Sequence, residues 1–250
     1  MKQGIFKILT NQPLTHDVYR MTLTGDTSGI RPGQFINIKL EGLYLRRPIS
    51  VCDCVGCVLT IIYKVVGKGT EQLSKMTRGE LDVLSELGNG YDLTKSGDRP
   101  LLIGGGVGVP PMYMLCRRLI EEGKKVTVVL GFNKADEVFY KDEFAALGAD
   151  VTVATADGSL GVKGFVTDAI SKLTAEGKSF SYFYTCGPEP MLKALYSSAD
   201  LDGVQGEFSF EERMGCGFGA CMGCSCKTVT GYKRICKDGP VLTKDEILWK

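Results

Sequence analysis

The chain of 250 residues has a single histidine, a net charge of only +1 and no uninterrupted apolar run near 18 residues. Each shortage removes a class of protein. Without a long apolar run, no helix is expected to cross a membrane. A near-neutral balance argues against a nucleic-acid binder, which carries a basic stripe. The opening MKQGIFKIL has neither the apolar stretch nor the small-residue cleavage site of a secretory leader, so a cytoplasmic location is expected. In that compartment the ten cysteines are rarely paired as disulfides. His16, beside Asp17, has no partner constellation and reads as a solvated side chain. Nor does any internal repeat or low-complexity segment stand out.

What is present is 44% hydrophobic and 24% charged, an ordinary globular balance, with 32 glycines whose clustering matters more than their number. The length suits one large domain, or two modest ones and a small appendage. Over residues 1–97, short apolar runs such as VYRMTL, QFINIKL, RPISVCDC and CVLTIIYKVV alternate with turn signals such as TGDTSG and RPGQ, predicting an antiparallel barrel or sandwich. Over 98–207 the pattern changes to strands alternating with helices. PLLIGG is a continuous apolar strand, and Met112, Leu115, Cys116, Leu119 and Ile120 form a helical stripe opened by Pro110 and Pro111. Further strands follow at VTVVLGF, DVTVATA and YFYTCG, with helices at KDEFAALG, GFVTDAISKLTAEG and EPMLKALYSSA, so a doubly wound parallel sheet is expected. Residues 208–250, rich in glycine and cysteine, read as a third, small unit.

In that tail Cys216, Cys221, Cys224 and Cys236 are spaced C-x4-C-x2-C-x11-C. The first three match the loop of plant-type [2Fe-2S] proteins, in which a distant fourth cysteine completes the ligand set. Such a loop must deliver three thiolates from one side and bring backbone amides close to sulfide. Gly215, Gly217, Gly219 and Gly223 remove the side chains that would obstruct this approach. Structural zinc is the rival, but it prefers C-x2-C pairs at both ends of a ribbon, and Cys236 has no such partner. Cys226 could replace Cys224, although C-x4-C-x4-C departs from the pattern. Cys52, Cys54 and Cys57 flank a hairpin turn, where alternation sends side chains apart. Buried small hydrophobes are the better reading there than a metal site. Cys116 lies on the core stripe of its helix.

Two turns have the form that meets a pyrophosphate. IGGGVGVPPM, with Gly105, Gly106 and Gly108, joins a strand to a helix, although Pro110 and Pro111 stand where a third fingerprint glycine belongs. TCGPEPM, with Cys186, Gly187 and Pro188, does the same. Both are expected at the carboxyl ends of parallel strands, facing one crevice. In the first domain LRRPIS and IYKVVGKGT read, taken alone, as an exposed arginine pair and an ordinary hairpin.

In this order, R-P-I-S, G-x-G-T, G-G-G-x-G-x-x-P and C-G-P-x-x-M resemble the ferredoxin-NADP reductase superfamily. The tail E-R-M-x-C-G-x-G-x-C-x-x-C with C-K-D-G-P-V resembles its branch of dihydroorotate dehydrogenase B electron-transfer subunits. The resemblance covers nearly the whole chain. It implies an FAD-binding β-barrel, an NAD-binding α/β domain and a [2Fe-2S] module, in an oxidoreductase subunit of pyrimidine biosynthesis. Arg47 would pair with the FAD pyrophosphate and Ser50 would lie near flavin N5. Pro48 and Ile49 complete that strand, with Ile49 where many relatives carry tyrosine. Ile62, Tyr63 and Lys64 would line FAD, and Gly69 and Thr70 would hold its phosphates. Gly105, Gly106, Gly108 and Cys186 to Pro188 would shape the nicotinamide site. Asp136 and Glu137 stand where NADP-binding relatives place a Ser-Arg pair, which favours NAD. The implied partner is an FMN-containing catalytic subunit, in a heterotetramer with two of each chain. No general base for dihydroorotate oxidation stands out in this sequence, as suits a relay. The alternative is a flavin and iron-sulfur subunit of a related NAD(P)H-ferredoxin reductase or sulfide dehydrogenase type complex.

Overall fold

The structure, a computed structural model, describes residues 1–249. Strands β1 (Lys2–Pro13), β2 (Val18–Thr24), β3 (Phe35–Ile38), β4 (Arg47–Val55), β5 (Val58–Lys64) and β6 (Glu80–Leu87) close into an antiparallel barrel in the order β1-β2-β5-β4-β3-β6. Alternation along the strands fills the barrel. Met21 and Leu23, Ile36 and Ile38, and Leu59 and Ile61 are all fully buried within it. The residues that alternate with them, Asn37 and Ile62 among these, face outward. Between β5 and β6 lies a short helix, α1 (Lys68–Ser74), where the sequence reading expects only strands. The Thr70 hydroxyl caps its start by accepting hydrogen bonds from the amides of Val66 (2.9 Å), just before the helix, and of the N-cap Gly67 (3.3 Å).

The second unit runs β7 (Pro100–Gly105), α2 (Pro110–Glu121), β8 (Thr127–Phe132), α3 (Lys141–Ala146), β9 (Asp150–Thr155), β10 (Val162–Lys163), α4 (Val166–Ala175), β11 (Tyr182–Cys186), α5 (Glu189–Tyr196) and β12 (Gly206–Ser209). Its strands are buried on both faces. Leu102, Val128 and Leu130 meet α2 and α3 on one side, and Leu101, Ile103 and Val129 meet α4 and α5 on the other. Beyond β12 come a hairpin, β13 (Ser225–Thr228) and β14 (Gly231–Arg234), and then β15 (Val241–Thr243). The sheet order is β10-β9-β8-β7-β11-β12-β15, parallel throughout except for β15, which pairs antiparallel with β12.

The tail is therefore woven into the sheet. Its end is further fixed by Trp249, whose ring packs on Tyr196, Phe208 and Phe210 at centroid distances of 5.6, 5.8 and 5.3 Å. The linker after the barrel joins in as well. Asn89 Nδ2 donates to the Val241 carbonyl (2.7 Å), its Oδ1 accepts from the Val241 amide (3.1 Å), and its own amide donates to the Gly239 carbonyl (2.7 Å). One apolar core joins Phe35, Leu84 and Leu87 of the barrel to Cys224, Ile235 and Cys236 of the tail. Among the described residues, no helix is long and apolar enough to cross a membrane.

Candidate functional site

The two arginines at the start of β4, Arg46 just before it and Arg47 its first residue, are separated by their partners. Arg46 is engaged: its Nη2 lies 2.9 Å from both carboxylate oxygens of Asp82, and its Nη1 donates to the carbonyls of Asp82 and Asn37. Arg47 has no carboxylate partner among the described residues and donates to the Leu45 carbonyl. Its guanidinium lies against Gly69 in the first turn of α1, where a Cβ would overlap Nε. A forked cation beside a helix start, approachable only because residue 69 is glycine, suits a phosphate group. In β4 Pro48 pairs with Asn37 of β3, Ile49 with Ile36 and Ser50 with Phe35. Ile49 is half-buried against the barrel core. Ile62 faces the α/β unit, whereas the Tyr63 side chain is buried in the barrel, its hydroxyl 3.0 Å from Asn11 Oδ1. Lys64 pairs with Asp17 at 3.0 Å, and Thr70 spends its hydroxyl on the α1 cap.

The other two motifs meet at the crevice. β7 pairs on one side with β8 and on the other with β11, so the chain order of the parallel strands reverses between β7 and β11, the place where open α/β sheets take ligands. Gly104 sits beside Cys186 in that register. A Cβ on Gly108 would overlap the Cys186 carbonyl, and one on Gly105 would strike Met191 and Pro188, so glycine brings the two turns into contact. Thr185, fully buried directly before Cys186, has a hydroxyl oxygen with no partner. Burial first of all pushes the Cys186 thiol up to about 12, so it stands there as a neutral group. After β8, Glu137 accepts from Asn133 Nδ2 (2.9 Å) and Asp136 pairs with Lys134 (2.8 Å), which leaves an acidic rim.

In the tail the sulfurs are met by amides. Ala220 and Cys221 donate to Cys216 Sγ (3.2 and 3.4 Å), Cys216 to Cys221 Sγ (3.4 Å) and Cys236 to Cys224 Sγ (3.4 Å). Burial acts to raise the Cys216 thiol, but the amides of Phe218, Cys221 and Ala220, with the Cys221 thiol, outweigh it and bring it down to about 6. Cys236 is pushed up to about 12 by burial and then by the Cys224 thiol. The four stand as two pairs. Among the described residues, no three thiol, imidazole or carboxylate side chains converge at metal-ligating spacing. The fit to an anionic iron-sulfur group lies in the all-sulfur donor set and its amide lining. Gly217 and Gly219 take left-handed φ values of 77° and 94°, and Gly215 and Gly223 flank Cys221 Sγ.

The remaining cysteines scatter. Cys52 and Cys116 are buried in the joint between barrel and α2, Cys54 is half-buried, and Cys57 is exposed at its turn, unlike the buried position expected for it. Cys226 is half-buried on β13, and His16 is exposed beside Asp17. Sequence reading missed Asn37 and Asn89. One weak signal was available for the first: an amide in the apolar strand FINI.

Residues 211–248 match the family described as the iron-sulfur cluster binding domain of dihydroorotate dehydrogenase B, and residues 102–196 the oxidoreductase NAD-binding domain. The dihydroorotate dehydrogenase B (NAD(+)) electron transfer subunit of Fusobacterium nucleatum is 45% identical over 251 residues, 95% of each chain. That of Shouchella clausii is 44% identical, covering 99% of this chain and 98% of its own. The solved NADH-dependent reduced ferredoxin-NADP oxidoreductase superposes with a TM-score of 0.89 at 32% identity, over 98% of this chain and 90% of that one. A ferredoxin NADP+ reductase from Neisseria gonorrhoeae with bound FAD and NADP shares the fold, with a TM-score of 0.69 at 18% identity, over 79% and 90%.

Proposed function

This chain belongs to the family of dihydroorotate dehydrogenase B electron transfer subunits, and from that membership we propose how its own residues serve an electron relay between a dihydroorotate-oxidising partner and NAD+. The implied groups are FAD, a [2Fe-2S] cluster and NAD. When bound, a flavin exchanges a hydride with nicotinamide and single electrons with an iron-sulfur centre. Arg47, free of any carboxylate and backed by Gly69, holds the FAD pyrophosphate, while Thr70 keeps the start of α1 in place for it. Pro48, Ile49 and Ser50 with Ile62, Tyr63 and Lys64 form the wall on which the flavin lies, Tyr63 through its backbone. Gly105, Gly106 and Gly108 with Cys186, Gly187 and Pro188 hold the nicotinamide end. Asp136 and Glu137 select NAD by repelling a 2′-phosphate. Cys216, Cys221, Cys224 and Cys236 ligate the cluster.

The observation that supports this reading is the seating of the cysteine loop on the outer face of β3, the immediate neighbour of the Arg47–Ser50 strand. The partner is an FMN-containing catalytic subunit, two of each chain forming the assembly, in the cytoplasm. Exposed Phe218 and Met222 on the cysteine loop supply apolar surface for it. The purified chain, loaded anaerobically, is expected to contain iron and acid-labile sulfide and to reduce ferricyanide with NADH. It should not oxidise dihydroorotate until the catalytic chain is added. Dihydroorotate turnover by this chain alone, or a preparation without iron, would overturn the assignment.

A further inference from the structure

Asn37 lies in the middle of β3 between Ile36 and Ile38, both fully buried in the barrel, and by alternation faces outward. It is nevertheless only 1% exposed, because the cysteine loop covers it. Its Nδ2 donates to the carbonyl of Cys216 (3.3 Å), its own backbone carbonyl accepts from Arg46 Nη1 (3.3 Å), and it stands opposite Pro48. Its Oδ1 is buried without a partner. An unpaired buried acceptor is destabilising, a loss that a valine at this strand position would avoid. The loop side is shaped to the same contact. Gly217 has φ 77°, and a Cβ on it would overlap Asn37 Nδ2.

We propose that Asn37 is a positioning residue for electron transfer, its carboxamide N–H holding the Cys216 peptide and thereby setting the distance and orientation of the cluster loop relative to the flavin strand β4. An amide serves here because one rigid, short donor reaches the carbonyl and leaves no charge in the joint. An apolar residue would fill the space without fixing the loop's place along the strand. The proposal rests on the function assigned above to Arg47–Ser50 and Cys216, and its test separates the two.

The test uses the anaerobically loaded chain carrying Asn37→Asp, which keeps the shape but turns an oxygen towards the Cys216 carbonyl. Gly217→Ala disturbs the same contact from the loop. Stopped-flow mixing with NADH follows flavin bleaching and then cluster bleaching, and electron paramagnetic resonance records the reduced cluster. Flavin bleaching should match the wild type. Cluster bleaching should slow several-fold, because electron tunnelling falls off exponentially with distance, and the resonance line shape should change in both variants. A wild-type cluster rate and line shape in both would overturn the proposal, and so would loss of flavin together with cluster, which marks a general structural role. Absence of a cluster signal in the wild type itself would overturn the functional assignment and this inference with it.

Discussion

Arg46 and Arg47 are adjacent, alike in sequence and opposite in use. The first is enclosed by Asp82 and two carbonyls, and the second is left without a counter-ion against a glycine. A guanidinium already saturated by the protein cannot also serve a ligand, so the two truncations should separate cleanly. Arg46→Ala is expected to destabilise the chain by about 1.5–3 kcal/mol, the range for hydrogen bonds to charged groups, with FAD affinity retained. Arg47→Ala should leave the melting temperature of the flavin-free chain unchanged and weaken FAD binding roughly ten- to a hundredfold. Thermal melts and fluorescence titration with FAD check the pair. Equal effects of the two substitutions on both readouts would refute the division. RRPIS contains two equivalent cations, and only the placement of Asp82 on β6 says which is engaged.

At the scale of elements, the crevice is made by two turns that touch. β7 and β11 are adjacent and parallel, and Gly108 lies so close to the Cys186–Gly187 peptide that a methyl group there has no room. Backbone cannot rotate aside as a side chain can, so one of the turns must move. Gly108→Ala should therefore raise the KM for NADH by roughly tenfold or more, while FAD content stays at the wild-type level, because the flavin wall proposed above lies in the barrel. Steady-state ferricyanide reduction and the flavin absorbance of the purified variant decide it; an unchanged KM would show that the turns are not held by this contact. The glycine spacing made the turns legible in the sequence. α1 was not legible, because KGTEQLS follows a β-rich run and its helical start depends on a threonine hydroxyl reaching back to two amides.

At the scale of the whole molecule, the chain closes on itself. The cysteine-rich tail ends as a strand of the nucleotide-binding sheet, and the linker from the barrel is pinned to that strand through Asn89. Glu207 on β12 sits at the same junction. It is 3% exposed, accepts from the Asp92 amide (3.0 Å) and faces Lys95 (3.5 Å). Burial, the largest influence, holds its carboxyl above the ordinary value of 4.5. A group whose folded-state value is raised favours folding while protonated and loses that advantage as pH rises through the raised value. Glu207→Gln should accordingly raise the melting temperature at pH 8, and the gain should fade as the pH approaches 4.5. A gain that is the same at both ends, or larger in acid, would contradict this account.

Local patterns sufficed for the barrel strands, the alternation of the α/β unit and the two glycine-rich turns, because each is written in residue periodicity or short-range spacing; the same kind of spacing singled out the four cysteines proposed as ligands. Tertiary structure alone decided which arginine is free, that the tail returns as β15, and that Asn37 joins the barrel to the cysteine loop. Those contacts link residues 36, 152 and 179 positions apart, and no pattern along the chain marks which distant groups will meet when separate hydrophobic faces pack.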